Sequence, residues 1–499
     1  MFDPTQTLDG GFFVVKTKAT TQILINEKRN RKFLLEGNLW KVIFYFTFPI
    51  IIYWIFQNAS DAIDLFILKR NQISDNQLTF VSRVHIFKGI LVPFGISIAT
   101  GGVILVGRAY GQNNVNKMHL YLAKTFVLSI LTGFILVFLC IFVFKSFIAT
   151  NILKISQNAI ENNEGIKYYN LIILSLVCII INTVFLSLER AKGNNKIALF
   201  LNILNASAKI IFSFVLFHYW NSSMVSLALA TLISNGIVTL FALWFLFFDS
   251  KNPFRIILSK ISFDKEFLKK LSKLAIPVCA SISIYSVGKL IVSIIVKEWY
   301  GDPQGISSSQ IGANLALAVT INNVFYNALN SFSDSQNAII SQNLGHNNLN
   351  RVFEAFKKII FCMCVLALIG SLINIFGYKL ILPLFHDSPW EKIPTLEQDV
   401  FRTLLFFETT SLWLSCGSII MFNFLLAFKR VGPSVYLNFL RTLIRIFFIV
   451  LFSKHFLNQG VMGVGLSIFL SNFICFIITL LIFSTFYLKL KRDKTFEQD

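Results

Sequence analysis

The chain has 499 residues, 55% of them hydrophobic and only 14% charged, with 45 Lys and Arg against 25 Asp and Glu for a formal charge of +20. A soluble chain of this length would divide into about three domains and carry about 25% charged residues. A mean hydropathy of +0.67 instead makes lipid the solvent for the apolar surplus, which excludes a water-soluble enzyme, a disordered chain and a secreted disulfide scaffold. The basic surplus reads as loop charge that sets membrane topology; a nucleic-acid-binding face would need a soluble domain to carry it.

Residues 1–38 hold a short apolar patch, Phe12 to Val15, and then the basic stretch Lys28, Arg29, Arg31 and Lys32, with no cleavable signal evident. A span needs about 20 mostly apolar residues. Twelve windows qualify, at 40–67, 84–107, 121–144, 168–188, 197–218, 224–248, 274–296, 311–340, 358–384, 401–427, 433–453 and 461–487, of which the eighth and tenth are interrupted by polar residues. Lys and Arg collect on one side of these windows, which predicts a multi-pass protein of the cytoplasmic membrane with both termini inside the cell. The densest basic segment, 249–273, falls between the sixth and seventh windows, and its stretch Phe263 to Leu274 is expected to lie on the inner leaflet. The cysteines all lie in apolar runs and read as small apolar fillers, without the clusters that a zinc site needs.

An internal repeat divides the chain. GRAYGQNNVNK at 107–117 aligns with SQNLGHNNLNR at 341–351 through Gly111/Gly345, Asn113/Asn347, Asn114/Asn348 and Asn116/Asn350. ALFLNILN from Ala198 aligns with SVYLNFLR from Ser434, and Ser234-Asn235 with Ser471-Asn472, at nearly the same offset. Six spans per copy is an even number, so the copies share one orientation about an axis along the membrane normal. The predicted fold is all-α and polytopic, with twelve transmembrane helices in two pseudo-symmetric six-helix bundles. Its parts are a tail at 1–38, a lobe at 39–248, a linker at 249–273, a lobe at 274–488 and a tail at 489–499.

Polar residues inside spans face a cleft or one another, because exposure to acyl chains is costly. Span 8 carries Asn323, Asn327, Asn330, Asp334 and Asn337 at helical steps on one face, either as the wall of a water-filled cleft or as interhelical hydrogen bonds. Span 1 carries Gln57, Asn58, Asp61 and Asp64 on one face. Each ionised acid there would cost about 2.5–3.5 kcal/mol, so the pair calls for protonation, a bound cation such as Na⁺ at Asp64, or a basic partner such as Lys289 or Lys88. Spans 5 and 11 bring Asn202, Asn205 and Lys209 into register with Asn438, Arg441 and Arg445, which places Lys209 and Arg445 on opposite walls of one central cleft. Lys289 in span 7 and Glu408 in span 10 are further charged candidates. No phosphate-binding loop, metal cluster or nucleophile elbow is present, so coupling to an ion gradient is the simpler energy source.

The opening GNLWKVIFYFTFPI, the run ending Asp61-Ala-Ile-Asp64, GGVILVGRAYGQNN and its counterpart NAIISQNLGHNN, set among twelve spans, resemble the MATE family, the multidrug and toxic compound extrusion transporters, over residues 37–488. The resemblance implies no enzyme and no cofactor beyond a coupling ion. It implies a monomeric antiporter that exchanges H⁺ or Na⁺ for small drug-like molecules by alternating access between two lobes. Asp64 matches the first-span carboxylate that binds the ion in one branch of that family. Relatives place acids on spans 7 and 10, whereas span 7 here offers Lys289 and Glu408 on span 10 is not matched residue for residue, so the intramembrane bases either pair with Asp61, Asp64, Asp334 and Glu408 or face an anionic substrate. The latter would suit a flippase or exporter of anionic or lipid-linked molecules.

Overall fold

The computed structural model describes residues 31–70, 75–148, 159–220, 223–249, 252, 255–256, 264–300, 308–384 and 389–493. Twelve long helices fill most of this: α1 (Leu39–Arg70), α2 (Asp75–Gly111), α3 (Val115–Phe138), α4 (Ala159–Ala191), α5 (Asn195–Tyr219), α6 (Met224–Leu243), α7 (Lys265–Trp299), α8 (Ser308–Gly345), α9 (Leu349–Ile381), α10 (Thr395–Ala427), α11 (Gly432–Leu451) and α12 (Gly460–Asp493). Each overlaps one of the apolar windows, with α3, α6, α9 and α11 ending a few residues before their windows do, and no strand occurs among the described residues. Helices satisfy every backbone donor and acceptor internally, which is what a chain in hydrocarbon requires.

Among the described residues, nine helices are long and apolar enough to cross a membrane, α10 included. Of the other three, α1 shows a shorter apolar stretch, Leu39–Ile52, among its described residues, and amides interrupt the apolar run of α8. Large apolar side chains face outward, and amides are enclosed within the apolar core. Phe142, Phe376 and Leu380 are at least 73% exposed, whereas Gln336, Gln342 and Asn343 are completely buried. An apolar exterior with polar side chains kept inside is what lipid as solvent selects.

The two halves repeat the same packing. Helices α1–α5, α2–α3, α2–α4, α3–α4, α4–α6 and α5–α6 pair in the first, and α7–α11, α8–α9, α8–α10, α9–α10, α10–α12 and α11–α12 in the second. Across the junction α2 packs on α8, with α1 against α8 and α2 against α7. The repeated GxNN motifs build this junction. Asn113 and Asn347 take left-handed backbone at φ 59° and 58°, and Asn114 and Asn348 then cap α3 and α9 by accepting from Lys117 and Arg351 N–H at 2.9 and 3.0 Å. Gly111 and Gly345 lie backbone to backbone. A Cβ on Gly111 would sit 2.1 Å from the Gln342 carbonyl oxygen, and one on Gly345 would sit 2.3 Å from that of Arg108.

Reciprocal hydrogen bonds cross at the same place. Arg108 on α2 donates to the Ala427 carbonyl at the end of α10 at 2.7 Å, and Gln342 on α8 donates to the Ala191 carbonyl at the end of α4 at 2.8 Å. Both fill acceptors that a helix C-terminus leaves open. A helical segment at 31–36 lies over the junction. Arg31 donates to the carbonyls of Tyr110 and Gly111, while Arg351 of the second half donates to those of Leu34 and Gly37.

The basic stretch expected on the leaflet surface differs from that expectation from Lys265 onward. Helix α7 begins there without a break, and Phe267, Leu271 and Leu274 are buried with Ile104, Leu105 and Leu426. Its apolar face is covered by α2 and α10, and Asp264 holds its start by an ion pair to the buried Lys124 on α3.

Candidate functional site

Helix α8 runs between two polar cavities, one in each half. The first, of about 490 Å³, is lined from α2 by Lys88, from α4 by Asn182 and Arg190, from α5 by Asn202, Asn205 and Lys209, from α6 by Asn235, and from α8 by Asp334 and Asn337. The second, of about 190 Å³, is lined by Tyr285 and Lys289 of α7, Asn322, Asn323 and Tyr326 of α8, Glu408 and Ser411 of α10, Arg445 of α11 and Asn472 of α12. The repeat-related bases Lys209 and Arg445 line different cavities. Within α8, Asn323 belongs to one cavity and Asp334 and Asn337 to the other, while Asn327 and Asn330 line neither.

Asp64 on α1 is the best-defined acid. It is 8% exposed; Lys209 Nζ lies 2.8 Å from Oδ2, and the Ser213 hydroxyl donates to Oδ1 at 2.9 Å. Its basic partner is thus a residue of α5, neither Lys289 nor Lys88. Lys209 lines the first cavity with Asp64 directly behind it, and Ser213 lies one turn further along the same helix face. The side chains of Gln57, Asn58 and Asp61 lie outside the described residues.

An amide network supports this wall. The Asn182 side-chain amide donates to the Asn235 carbonyl at 2.9 Å, the Thr239 hydroxyl donates to Asn182 Oδ1 at 3.0 Å, and Asn205 donates to Asn235 Oδ1 at 3.3 Å. Asn202 Nδ2 and Asn205 Oδ1 are buried without a hydrogen-bond partner, which leaves a donor and an acceptor for a molecule in the cavity.

In the second cavity Glu408 is held by Asn322, whose amide donates to its backbone carbonyl at 3.1 Å and reaches a side-chain oxygen at 3.4 Å. Arg445 donates to the Ser471 hydroxyl at 3.0 Å. Lys289 Nζ lies 4.7 Å above the Tyr285 ring, and the Arg441 guanidinium is 5.9 Å from the same ring. Arg441 does not line the cavity. Arg190, Ser213, Tyr285 and Ser411 are site residues that the polar stripes in the sequence did not mark. Ser213 and Tyr285 did carry a signal, since each lies four residues along a helix from an intramembrane base.

No group of three or more His, Cys, Asp or Glu placed to hold a metal ion occurs among the described residues, and all seven cysteines are free.

Comparison with known proteins agrees with this architecture. A solved transporter from Pyrococcus furiosus, described as a MOP superfamily member with a binding pocket of reverse polarity, superposes with a TM-score of 0.82 at 18% identity, covering 95% of this chain and 99% of that one. An outward-facing multidrug resistance MATE family transporter gives 0.81 at 18% identity over 95% and 99% of the two chains. These likenesses are of fold. Among curated proteins, the probable multidrug resistance protein YoeA of Bacillus subtilis is 21% identical over 286 residues, which is 55% of this chain and 59% of that relative's length. The MatE family model matches residues 49–215 and 277–451, one stretch in each half. The chain therefore belongs to the MatE family of membrane transporters.

Proposed function

We propose that the chain is a proton-coupled antiporter of the cell membrane that exports drug-like small molecules by alternating access, working as a single chain. The buried Asp64–Lys209 pair at the edge of the first cavity carries this reading. A proton delivered to Asp64 removes the charge that holds the Lys209 ammonium, so proton binding and rearrangement of the cavity wall become one event. A proton suits this site better than Na⁺. Lys209 Nζ already stands at 2.8 Å where a metal cation would bind, and the Ser213 hydroxyl is the one other described group hydrogen-bonded to Asp64, whereas a hard cation needs a shell of several oxygens.

Alternating access draws support from the junction. Arg31, Arg108, Lys192, Arg351 and Arg430 lie near the end where Gly111 meets Gly345, which by the positive-inside rule supports reading that end as cytoplasmic. The two halves are in backbone contact there, so opening to the cytoplasm requires breaking the Arg108–Ala427 and Gln342–Ala191 bonds together. The names of the relatives point to multidrug export. In proteoliposomes holding a fluorescent dye, a proton gradient should drive dye movement with Na⁺ absent. Transport driven by a Na⁺ gradient at clamped pH, and not by protons, would overturn the coupling assignment.

A further inference from the structure

We propose that the second-half cavity is a binding site for organic anions, namely a carboxylate or sulfonate carried on an aromatic body. The inference rests on reading the chain as a small-molecule exporter and adds the charge of what this cavity takes.

Three cationic side chains converge on it. Lys289 and Arg445 line the wall, and the Arg441 guanidinium lies 5.9 Å from the ring of Tyr285, which belongs to that wall. Glu408 is the one carboxylate in the described lining, and among the described residues none of the three bases forms an ion pair with it or with any other acid. The contrast with Lys209, which is neutralised by Asp64, is direct. Arg445 is 8% exposed and has no ion-pair partner among the described residues, so it carries the desolvation cost of a buried cation, which an anion entering the cavity would offset.

Unused hydrogen-bond donors point the same way. Arg441, near the cavity but outside its lining, is 4% exposed, and its Nε and one terminal nitrogen have no hydrogen-bond partner. The Ser411 hydroxyl, in the cavity wall and 3% exposed, has none either. Buried donors are normally satisfied, and an anion is the ligand class that accepts from guanidinium, ammonium and hydroxyl groups together. The rest of the wall is apolar, with Val292, Leu315, Val319, Leu412 and Ile468 beside the two tyrosine rings. A cavity of about 150 Å³ already accommodates benzene, so the volume of about 190 Å³ fits a small aromatic acid better than a lipid. A cationic drug would meet two like charges and one acid in the wall, with Arg441 as a third base nearby.

The test is isothermal titration of the purified full-length protein in neutral detergent with 1-naphthoate and with its charge-reversed match, 1-naphthylmethylammonium, using empty micelles as the blank. Binding is read at equilibrium with no gradient, so its outcome is independent of whether Asp64 couples transport to protons. Saturable naphthoate binding at one site is expected, weaker by roughly tenfold or more in Lys289→Gln and in Arg445→Gln, since each removes one charge-assisted contact. The ammonium compound should not bind. Arg445→Lys keeps the charge and should retain most of the affinity, which separates loss of charge from loss of fold. Absence of saturable naphthoate binding, equal or tighter binding of the ammonium compound, or unchanged affinity in both glutamine variants would each overturn the proposal.

Discussion

Replacing Lys209 with Met tests whether the Asp64 pair is a buried ion pair or an ornament of the cavity wall. The two side chains are 7% and 12% exposed, and Lys209 Nζ lies 2.8 Å from Asp64 Oδ2. Lys209→Met keeps an unbranched stem of similar length but leaves the carboxylate with the Ser213 hydroxyl alone. Removing one partner of a buried pair typically costs about 3–5 kcal/mol, while replacing both charges by neutral groups of similar volume is often nearly neutral. The double variant Lys209→Met/Asp64→Asn should therefore recover most of the loss, because the amide oxygen that replaces the carboxylate can still accept from Ser213. A double-mutant cycle measured by detergent-titrated unfolding of the purified protein gives the coupling directly. A loss below about 1 kcal/mol in Lys209→Met, the range of solvent-exposed pairs, or a double variant as unstable as the sum of the singles, would refute this reasoning.

Three further outcomes follow from the junction and its surroundings. Gly345→Ala would place a Cβ 2.3 Å from the Arg108 carbonyl oxygen, a backbone atom that cannot rotate away, so thermal stability should fall; Gly236→Ala, with nothing within 4 Å, should be neutral or gain roughly 0.5–1 kcal/mol. Gln342→Leu leaves the Ala191 carbonyl without its cross-junction donor and should cost about 1–3 kcal/mol by the same unfolding assay. The hydrogen bond from Lys124 holds the Asp264 carboxyl below its ordinary range. A depressed acid stabilises the fold above its unfolded pKa, near pH 4, and loses that contribution as pH falls through the lower folded value. Asp264 is 48% exposed, so the contribution is at most about 1 kcal/mol; Asp264→Asn should remove it at pH 7 and flatten the decline in melting temperature on the acid side.

Helix number, placement and the two-fold repeat were all legible in the sequence, because a run of about 20 apolar residues has one stable form in lipid and repeated motifs mark equivalent positions. Gly111 and Gly345 show where that legibility stops. Their alignment identified them as repeat partners, yet nothing in the spacing says that they touch each other across the junction. Side-chain period along a helix gives a face and a depth, but not the neighbour on which that face lands. Asp64 was readable as an acid in need of a partner, and the choice of Lys209 over Lys289 or Lys88 depended on α1 packing against α5. The α8 stripe was readable as one polar face; its division between two cavities follows from α8 packing on α7, α9 and α10 within its own half and on α1 and α2 across the junction. The start of α7 was amphipathic in either setting, and only the presence of α2 and α10 decides that its apolar side meets protein instead of lipid.

The coupling role of Asp64 is tested most directly by gradient-driven transport with the Asp64→Asn variant in proteoliposomes, with dye exchange in the absence of a gradient measured alongside. The substituted amide keeps the size of the side chain and its bond from Ser213 but takes up no proton. The prediction is that dye still exchanges down its own gradient while a proton gradient no longer drives it uphill. Uphill dye movement by the variant at the wild-type rate would contradict the assignment of Asp64 as the coupling group.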